Sequence, residues 1–341
     1  MLINLNSLRQ LTLTCLLAST FYSNACTTIF ANATPNRLLV ARTMDLYTSD
    51  MPLIVAEPRG VEHNGEAGKN SLHWRSKYGT VMVTALHTNA VTDGINEKGL
   101  AVHLLYLENT KYPNYNNNLP KISNGMWGKY ILDNFATVNE ALAGTKNLEI
   151  VATEVQGKKW PLHLTIEDAT GDSAVIEFID GKMNVYHGPQ YQVVTNEPAY
   201  NIQLANLKNY QGFGGTRPLP GDAAPINRFV RAATYLKTLP KPGDFNQSIS
   251  DILSVIRSAM VPFGAVYTYE NKKELAWPTQ WISIADLTNK TYYFHSTSNP
   301  NVIWIALDKV NFALGAPTLT IDPLQAHKAD IVKKLRPAFD L

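Results

Sequence analysis

Cys26 has the position and the chemistry of a nucleophile. It follows a segment ending Ser23-Asn24-Ala25, which places small residues at the two positions that a signal peptidase requires. Cleavage there would leave Cys26 with a thiol of ordinary pKa about 8.5 and a free α-amine of about 7.7 to 8. The amine can act as general base for its own thiol, so this residue could attack a carbonyl carbon without a separate histidine.

Residues 1–25 are predicted to be a secretory signal peptide. Arg9 is the one charged side chain, and an apolar stretch follows from Leu11 to Phe21. This stretch is too short to span a membrane as a helix. An uncleaved N-terminal anchor is the alternative. The sequence therefore predicts an exported chain, periplasmic or secreted, in which residues 26–341 form a single domain.

The exported chain would contain a single thiol, because the only other cysteine, Cys15, lies in the predicted signal peptide. No internal disulfide could then form. A buried cysteine that packs as a small hydrophobic residue is the alternative to a nucleophile. Catalysis at Cys26 would need three supports: a cation near the sulfur, an acceptor that orients the amine, and hydrogen-bond donors for an oxyanion.

The elements that must position this residue are mostly strands. The 341 residues are 45% hydrophobic and 17% charged, which allows a large core. Short β-rich runs predict strands at 26–30, 38–42, 80–86, 100–107, 162–166, 174–179, 192–195, 281–285 and 302–307. Helical spacing of apolar residues predicts helices at 126–143, 226–239, 249–260 and 323–335. Paired strands with grouped helices indicate an α+β layered sandwich.

Turn and loop signals favour one domain with antiparallel sheets. Asp93-Gly94 and Asp180-Gly181 are predicted to be hairpin turns. Residues 112–120 have the composition of a polar surface loop and not of a domain boundary. The formal net charge is +2 without basic runs, so the sequence gives no support for a nucleic-acid partner.

Five sequence motifs resemble the choloylglycine hydrolase family, which contains bile salt hydrolases and penicillin V acylases. They occur in the family's order across the predicted mature chain: CTTIF (26–30), ARTMD (41–45), DGINEKGL (93–100), VTNEP (194–198), and LPGD (219–222) leading to NRF (227–229). The resemblance implies a four-layer αββα sandwich of antiparallel sheets, the N-terminal nucleophile hydrolase fold. It also implies an assembly of identical subunits, such as a tetramer.

The resemblance assigns roles to the supports that Cys26 requires. It implies that Arg42 lies beside the sulfur, that Asp45 accepts from the α-amine, and that Arg228 holds the surrounding charges. It implies that the side chain of Asn196 donates to the oxyanion. Taken singly, these residues have ordinary alternatives: a surface ion pair for the first two, a turn for the asparagine, and a helix-surface position for Arg228.

Tyr106 bears on the choice of substrate. By resemblance, its backbone amide completes the oxyanion hole, and the residue lies in the substrate site. Bile salt hydrolases usually have asparagine here, whereas penicillin V acylases usually have tyrosine. A core tyrosine at the end of a strand is the alternative. Residues 47–51, Trp127 and residues 267–269 could likewise line an aromatic pocket or pack in the core.

Other mechanisms have little support in the sequence. It contains no Gly-x-Ser-x-Gly motif and no His-Glu-x-x-His motif, and the glycines at 212–215 lack the context of a dinucleotide-binding loop. His103 and His163 are predicted to be core or edge residues of strands. No cofactor or metal is predicted.

The sequence predicts an amidase that hydrolyses linear C–N bonds of N-acyl substrates through a thioester on Cys26. The substrate would be a small N-acyl amide of the penicillin V type, with N-acyl homoserine lactones as a further class. Two alternatives stay open: a conjugated bile salt hydrolase, and a non-catalytic lipoprotein acylated at Cys26. Ser23 stands where a lipidation site normally has leucine. Whether a signal peptidase or autoproteolysis would expose Cys26 also stays open.

Overall fold

The computed structural model describes residues 26–34, 37–115, 118–152, 154–155, 157–241, 244–269, 272–275, 277–325 and 332–337. The predicted signal peptide, with Cys15, lies outside them. Among the described residues, no helix combines the length and the apolarity that crossing a membrane requires.

Strands dominate the structure. In chain order they are β1 (Thr27–Ala31), β2 (Leu39–Asp45), β3 (Leu53–Glu57), β4 (Glu62–Asn64), β5 (His73–Arg75), β6 (Thr80–Thr84), β7 (Val91–Asn96), β8 (Ala101–Tyr106), β9 (Lys121–Ser123), β10 (Glu149–Val151), β11 (Glu154–Val155), β12 (Lys158–Lys159), β13 (Leu162–Glu167), β14 (Ser173–Ile179), β15 (Lys182–His187), β16 (Val193–Thr195), β17 (Val266–Tyr269), β18 (Lys272–Leu275), β19 (Thr279–Asp286), β20 (Thr291–Ser296), β21 (Val302–Ala306), β22 (Leu319–Ile321) and β23 (Arg336–Pro337). The α-helices are α1 (Asn124–Asn134), α2 (Val138–Thr145), α3 (Tyr200–Leu207), α4 (Pro225–Thr238) and α5 (Phe245–Arg257).

Two antiparallel sheets form the centre of the molecule. The first has the strand order β16-β1-β2-β19-β20-β21, and the second has the order β15-β14-β13-β8-β7-β6-β3-β22-β23. In the first sheet, Thr27 pairs with Thr195 of β16, and Thr28 pairs with Arg42 of β2. These pairings bring residues from three separate sequence motifs to the start of β1.

Helices cover the outer faces of both sheets. Helices α4 and α5 pack on β1, β2 and β16, while α1 packs on β7 and β8. One buried apolar cluster joins α4, α5, the first sheet and the facing side of the second, and another lies between the second sheet and helices α1 and α2. The four layers are the αββα sandwich that the resemblance implied.

The predicted helix at 126–143 is two helices. Phe135, in an extended conformation, ends α1, and Thr137 begins α2 by accepting a hydrogen bond from the Glu140 amide at 3.2 Å. The Glu140 carboxylate accepts in turn from the amide of Ala136 at 2.7 Å. Thr137 and Glu140 have the spacing of a capping box, which the apolar periodicity concealed.

Two other predictions were wrong. Asp93-Gly94 is not a turn but lies within β7, where a β-carbon on Gly94 would come within 2.9 Å of Leu132 in α1. The glycine therefore permits close approach of a helix to the sheet. Residues 323–335 are not one α-helix: their described parts include 3₁₀ turns at Pro323–Gln325 and Val332–Lys334. Asp180-Gly181 does form a hairpin turn, with φ of 50° and 73°.

Candidate active site

Cys26 lies immediately before β1 and is almost fully buried, with 3% of its surface exposed. Its backbone nitrogen donates a hydrogen bond to Oδ1 of Asn196, the residue that follows β16. Its sulfur lies 4.0 Å from the carbonyl oxygen of Asp45. The pairing of β1 with its two neighbouring strands therefore fixes both ends of this residue.

Arg42 is the cation beside the sulfur. Its Nη2 lies 3.9 Å from Cys26 Sγ and donates to the carbonyl oxygen of Leu104 at 2.6 Å. Its Nη1 donates to the carbonyl oxygen of Thr92 at 2.5 Å. Because Leu104 and Thr92 belong to the second sheet, this side chain joins the two sheets. It is 1% exposed, which excludes the surface ion pair considered from the sequence.

Arg228 and Asn196 hold the other side of Cys26. Arg228, on α4, donates through Nη1 to the carbonyl oxygen of Cys26 at 2.8 Å and through Nη2 to Asn196 Oδ1 at 3.0 Å. The Nδ2 group of Asn196 donates to the carbonyl oxygen of Tyr106 at 2.7 Å. Arg228 is fully buried, so it is not the helix-surface residue that was the alternative.

Asp45, the last residue of β2, is also buried and accepts a hydrogen bond from Thr43 Oγ1 at 3.1 Å. Burial raises the pKa of its carboxyl group to about 7, although the charge of Arg228 lowers it. The nitrogen of Cys26 donates to Asn196 and not to this carboxyl group. The role of Asp45 as acceptor for an α-amine stays a prediction.

Burial also raises the pKa of the Cys26 thiol, and the neighbouring charge of Arg42 offsets part of that increase. The arginine alone therefore leaves the thiol protonated near neutral pH. A sulfur in this environment needs a base to remove its proton before it can attack. An α-amine on the same residue would provide one.

A pocket opens above the sulfur. Its walls are mostly apolar and include three aromatic rings: Tyr106 lies 5.7 Å from Trp277 and 6.3 Å from Trp160. The exposed ring of Tyr47 lies 5.5 Å from Trp277. The Tyr106 ring is thus a pocket residue as well as the end of β8. Trp127, by contrast, is fully buried in the core.

Sequence reasoning missed several of these residues. Trp160 and Trp277 are separated in sequence from the motifs and fall in no predicted element. The ring of Trp281 lies 5.3 Å from the guanidinium carbon of Arg42 and donates to Asp50 at 2.9 Å. A tryptophan in an apolar strand run gave no sign that it would pack on a buried cation.

One cluster outside the pocket has potential metal ligands. Glu57, His63 and Asp133 bring three ligand atoms within 4.8 Å of one another. The Lys129 ammonium lies 2.6 Å from Glu57 and 3.4 Å from Asp133, so the cluster already contains a cation of its own. The arrangement is that of a buried ion-pair network.

The raised carboxyl pKa values predict how stability depends on pH. Burial raises the pKa of Asp50 to about 6 and that of Glu167 to about 7. Such a carboxyl group keeps its proton to a higher pH in the folded chain than in the unfolded chain. Its contribution to the free energy of unfolding is therefore complete below the unfolded pKa and is lost as the pH rises through the folded pKa.

We expect Asp50→Asn, which keeps an acceptor for Trp281, to lose less stability than the wild type as the pH rises from about 4 to about 6. Melting temperatures across that range test this expectation. Parallel curves for the two proteins would contradict the raised pKa of Asp50.

Solved structures with this architecture include penicillin V acylase from Agrobacterium tumefaciens. It superposes with a TM-score of 0.81 at 35% identity, over 92% of this chain and 98% of that one. Conjugated bile acid hydrolase from Clostridium perfringens, in a mutant form, gives a TM-score of 0.75 at 23% identity, over 89% of this chain and 98% of that one, which shows a shared fold. The fold is that of the N-terminal nucleophile hydrolases.

Comparison of sequences defines the family within that class. The model for linear amide C–N hydrolases of the choloylglycine hydrolase family matches residues 26–322. Penicillin V acylase from Pectobacterium atrosepticum is 36% identical over 82% of this chain and 79% of that protein. A bile salt hydrolase/transferase from Clostridium perfringens is 26% identical over 84% of this chain and 93% of that protein. The chain belongs to the choloylglycine hydrolase family and is a linear amide C–N hydrolase, as its motifs predicted.

Proposed function

We propose that this hydrolase is a penicillin V acylase-like amidase that attacks its substrate with Cys26 after residues 1–25 have been removed during export. The observation that carries the proposal is the position of the Cys26 sulfur, which lines an apolar pocket walled by Tyr106, Trp160 and Trp277. Such a pocket suits a flat aromatic acyl group more closely than a large rigid one.

The first half of the reaction forms a thioester. The α-amine takes the thiol proton, and the sulfur attacks the amide carbon to give a tetrahedral oxyanion. When the C–N bond breaks, the amine of Cys26 returns its proton to the departing nitrogen. The acyl group stays on sulfur, and a primary amine leaves.

The second half releases the acid. A water molecule loses a proton to the same amine and attacks the thioester carbon, and the C–S bond then breaks. The thiol regains a proton, and the carboxylic acid leaves. One residue thus serves as nucleophile and base in both halves.

Asn196 and Tyr106 are the proposed donors to the oxyanion. The Asn196 amide lies between the nitrogen of Cys26 and the carbonyl group of Tyr106, and Arg228 fixes its oxygen. A side chain held at both ends changes little as charge develops, which is the condition for strong stabilisation of a transition state.

The aromatic pocket predicts a selective loss of binding. We expect Trp277→Leu to raise KM for penicillin V roughly tenfold and to change kcat much less, because this ring contacts Tyr47 and Tyr106 but not the reacting atoms. Trp304→Leu is the matched control, since Trp304 packs on Tyr293 in the outermost strands of the first sheet. Equal effects of the two substitutions would contradict the pocket assignment.

The function is tested by the release of primary amine from a panel of substrates. Penicillin V, an N-acyl homoserine lactone, and glycine- and taurine-conjugated bile acids represent the three substrate classes. We expect penicillin V to be cleaved with the highest kcat/KM. A higher kcat/KM for a conjugated bile acid would overturn the proposed substrate class while leaving the amidase intact.

Export and the state of Cys26 are part of the same proposal. The mass of the protein recovered from the periplasm should correspond to a chain that begins at an unmodified Cys26. A diacylglycerol or N-acyl adduct on this residue would favour the lipoprotein alternative, because an acylated amine cannot act as a base. Size-exclusion chromatography with light scattering tests the proposed assembly of identical subunits.

A further inference from the structure

Behind Arg42, opposite to the sulfur, lies a buried carboxylate that is held on both of its oxygens. Oδ1 of Asp93, in β7, accepts from the Tyr292 hydroxyl at 2.6 Å. Oδ2 lies 2.6 Å from His103 Nδ1 and 3.4 Å from Arg42 Nη1. The side chains of Asp93 and His103 are fully buried, so solvent screens these interactions little.

We propose that Asp93 is a positioning residue that holds the Arg42 guanidinium against the Cys26 sulfur, with His103 and Tyr292 clamping its carboxylate in place. The contacts of Arg42 with the carbonyl oxygens of Thr92 and Leu104 provide acceptors for its two Nη groups but do not compensate its charge. A buried guanidinium without an anion is strongly destabilised, so the Asp93 carboxylate stabilises Arg42 in this position.

The pKa values of His103 and Tyr292 are compatible with their contacts to the Asp93 carboxylate. The nearby charge of Asp93 raises the pKa of His103 above its usual range despite burial, and the Glu167 carboxyl group lies 3.5 Å from the other ring nitrogen. Burial raises the pKa of Tyr292 well above its usual range, so its phenol is neutral and donates. His103 is a core residue of β8, as the sequence predicted, and its ring also contacts the Asp93 carboxylate.

Charged and titratable groups from several elements lie around this cation, the sulfur and the side chains that hold Asp93. They are Asp45 from β2, Asp50 from the following loop, Asp93 from β7, His103 from β8, Glu167 from β13, Tyr292 from β20 and Arg228 from α4. Any change in the thiol pKa must be interpreted against all of them. The test therefore compares substitutions that differ in whether they remove a charge.

The direction in which the thiol pKa changes distinguishes a positioning role of Asp93 from a direct effect of its negative charge on the thiol. Removing the negative charge in Asp93→Asn would lower the Cys26 thiol pKa if Arg42 stayed in place. If Asp93 positions Arg42, the guanidinium moves away and the thiol pKa rises instead. We expect a rise of about 1 unit, which is a tenfold loss of thiolate at a given pH.

Tyr292→Phe isolates the clamp because it removes one hydroxyl group and no charge. We expect it also to raise the thiol pKa, by less than Asp93→Asn does. Tyr293→Phe is the matched control: it removes a phenol from the next residue of β20, on the opposite face of the sheet. This control should leave the thiol pKa unchanged.

The measurement is the rate at which iodoacetamide alkylates Cys26 as a function of pH, followed by the mass of the peptide that contains this residue. A fall or no change in Asp93→Asn overturns the proposal. If that variant does not fold, a thiol pKa in Tyr292→Phe equal to that of Tyr293→Phe overturns it. Alkylation requires no turnover, so this result is independent of the proposed function, on which the inference rests only for the catalytic role of Cys26.

Discussion

Replacing Cys26 with alanine is expected to abolish amide hydrolysis, with a loss of kcat on the order of 10⁶-fold. The sulfur lines the aromatic pocket, and its neighbours Arg42, Asn196 and Arg228 are directed towards it or towards its backbone. Without the thiol, no other described group in this arrangement can form the thioester. The release of primary amine from penicillin V measures the loss.

The fold should survive this substitution. Cys26 precedes β1 and contributes one small buried side chain to a core of many residues. The removal of its sulfur leaves the pairing of β1 with β2 and β16 intact. A melting temperature close to that of the wild type, together with loss of turnover, is the expected pair of results. Turnover comparable to wild type in Cys26→Ala would refute the nucleophile assignment.

Replacing Asn196 with alanine is expected to lower kcat by about 10² to 10³ and to change KM far less. Stabilisation of an oxyanion exists mainly in the transition state, so its loss appears in kcat. The same substitution removes the acceptor for the Cys26 nitrogen and for Arg228, which would loosen the nucleophile as well.

Asn96 provides a matched control for this prediction. It is equally buried, its Nδ2 donates to the carbonyl oxygens of Leu132 and Phe135, and its Oδ1 accepts from two backbone amides. Asn96→Ala should therefore destabilise the chain to a similar degree without a selective loss of kcat. A loss confined to KM in Asn196→Ala, or equal kinetic losses in both variants, would argue against the oxyanion role.

The proximity of Arg42, Asn196 and Arg228 to Cys26 could be predicted from the sequence, because the motifs that contain them resemble those of the family. Arg42 lies in β2 and Asn196 directly follows β16, the two strands that pair with β1, so their approach to Cys26 follows from the sheet order. Sequence position alone did not show that Arg42 also contacts the second sheet. That contact depends on how the two sheets face each other.

Other features depend on tertiary contacts that no local pattern encodes. Asp93-Gly94 has the composition of a turn, but packing of α1 against the sheet requires the glycine within a strand, and Asp93 then faces Arg42. His103 is the core residue that the sequence predicted, but its contact with Asp93 depends on the register of β7 with β8, and β20 brings Tyr292 to the same carboxylate. Local propensity is overridden at these positions by partners distant in sequence.

The most direct test of Cys26 as an N-terminal nucleophile is the mass of its peptide after acid quenching of the protein during turnover of penicillin V. The account predicts a peptide that begins at Cys26 and carries the phenoxyacetyl group as a thioester, which hydroxylamine removes. An acyl group on another residue would contradict the account. Full turnover by a chain in which Cys26 remains joined to Ala25 would contradict it equally.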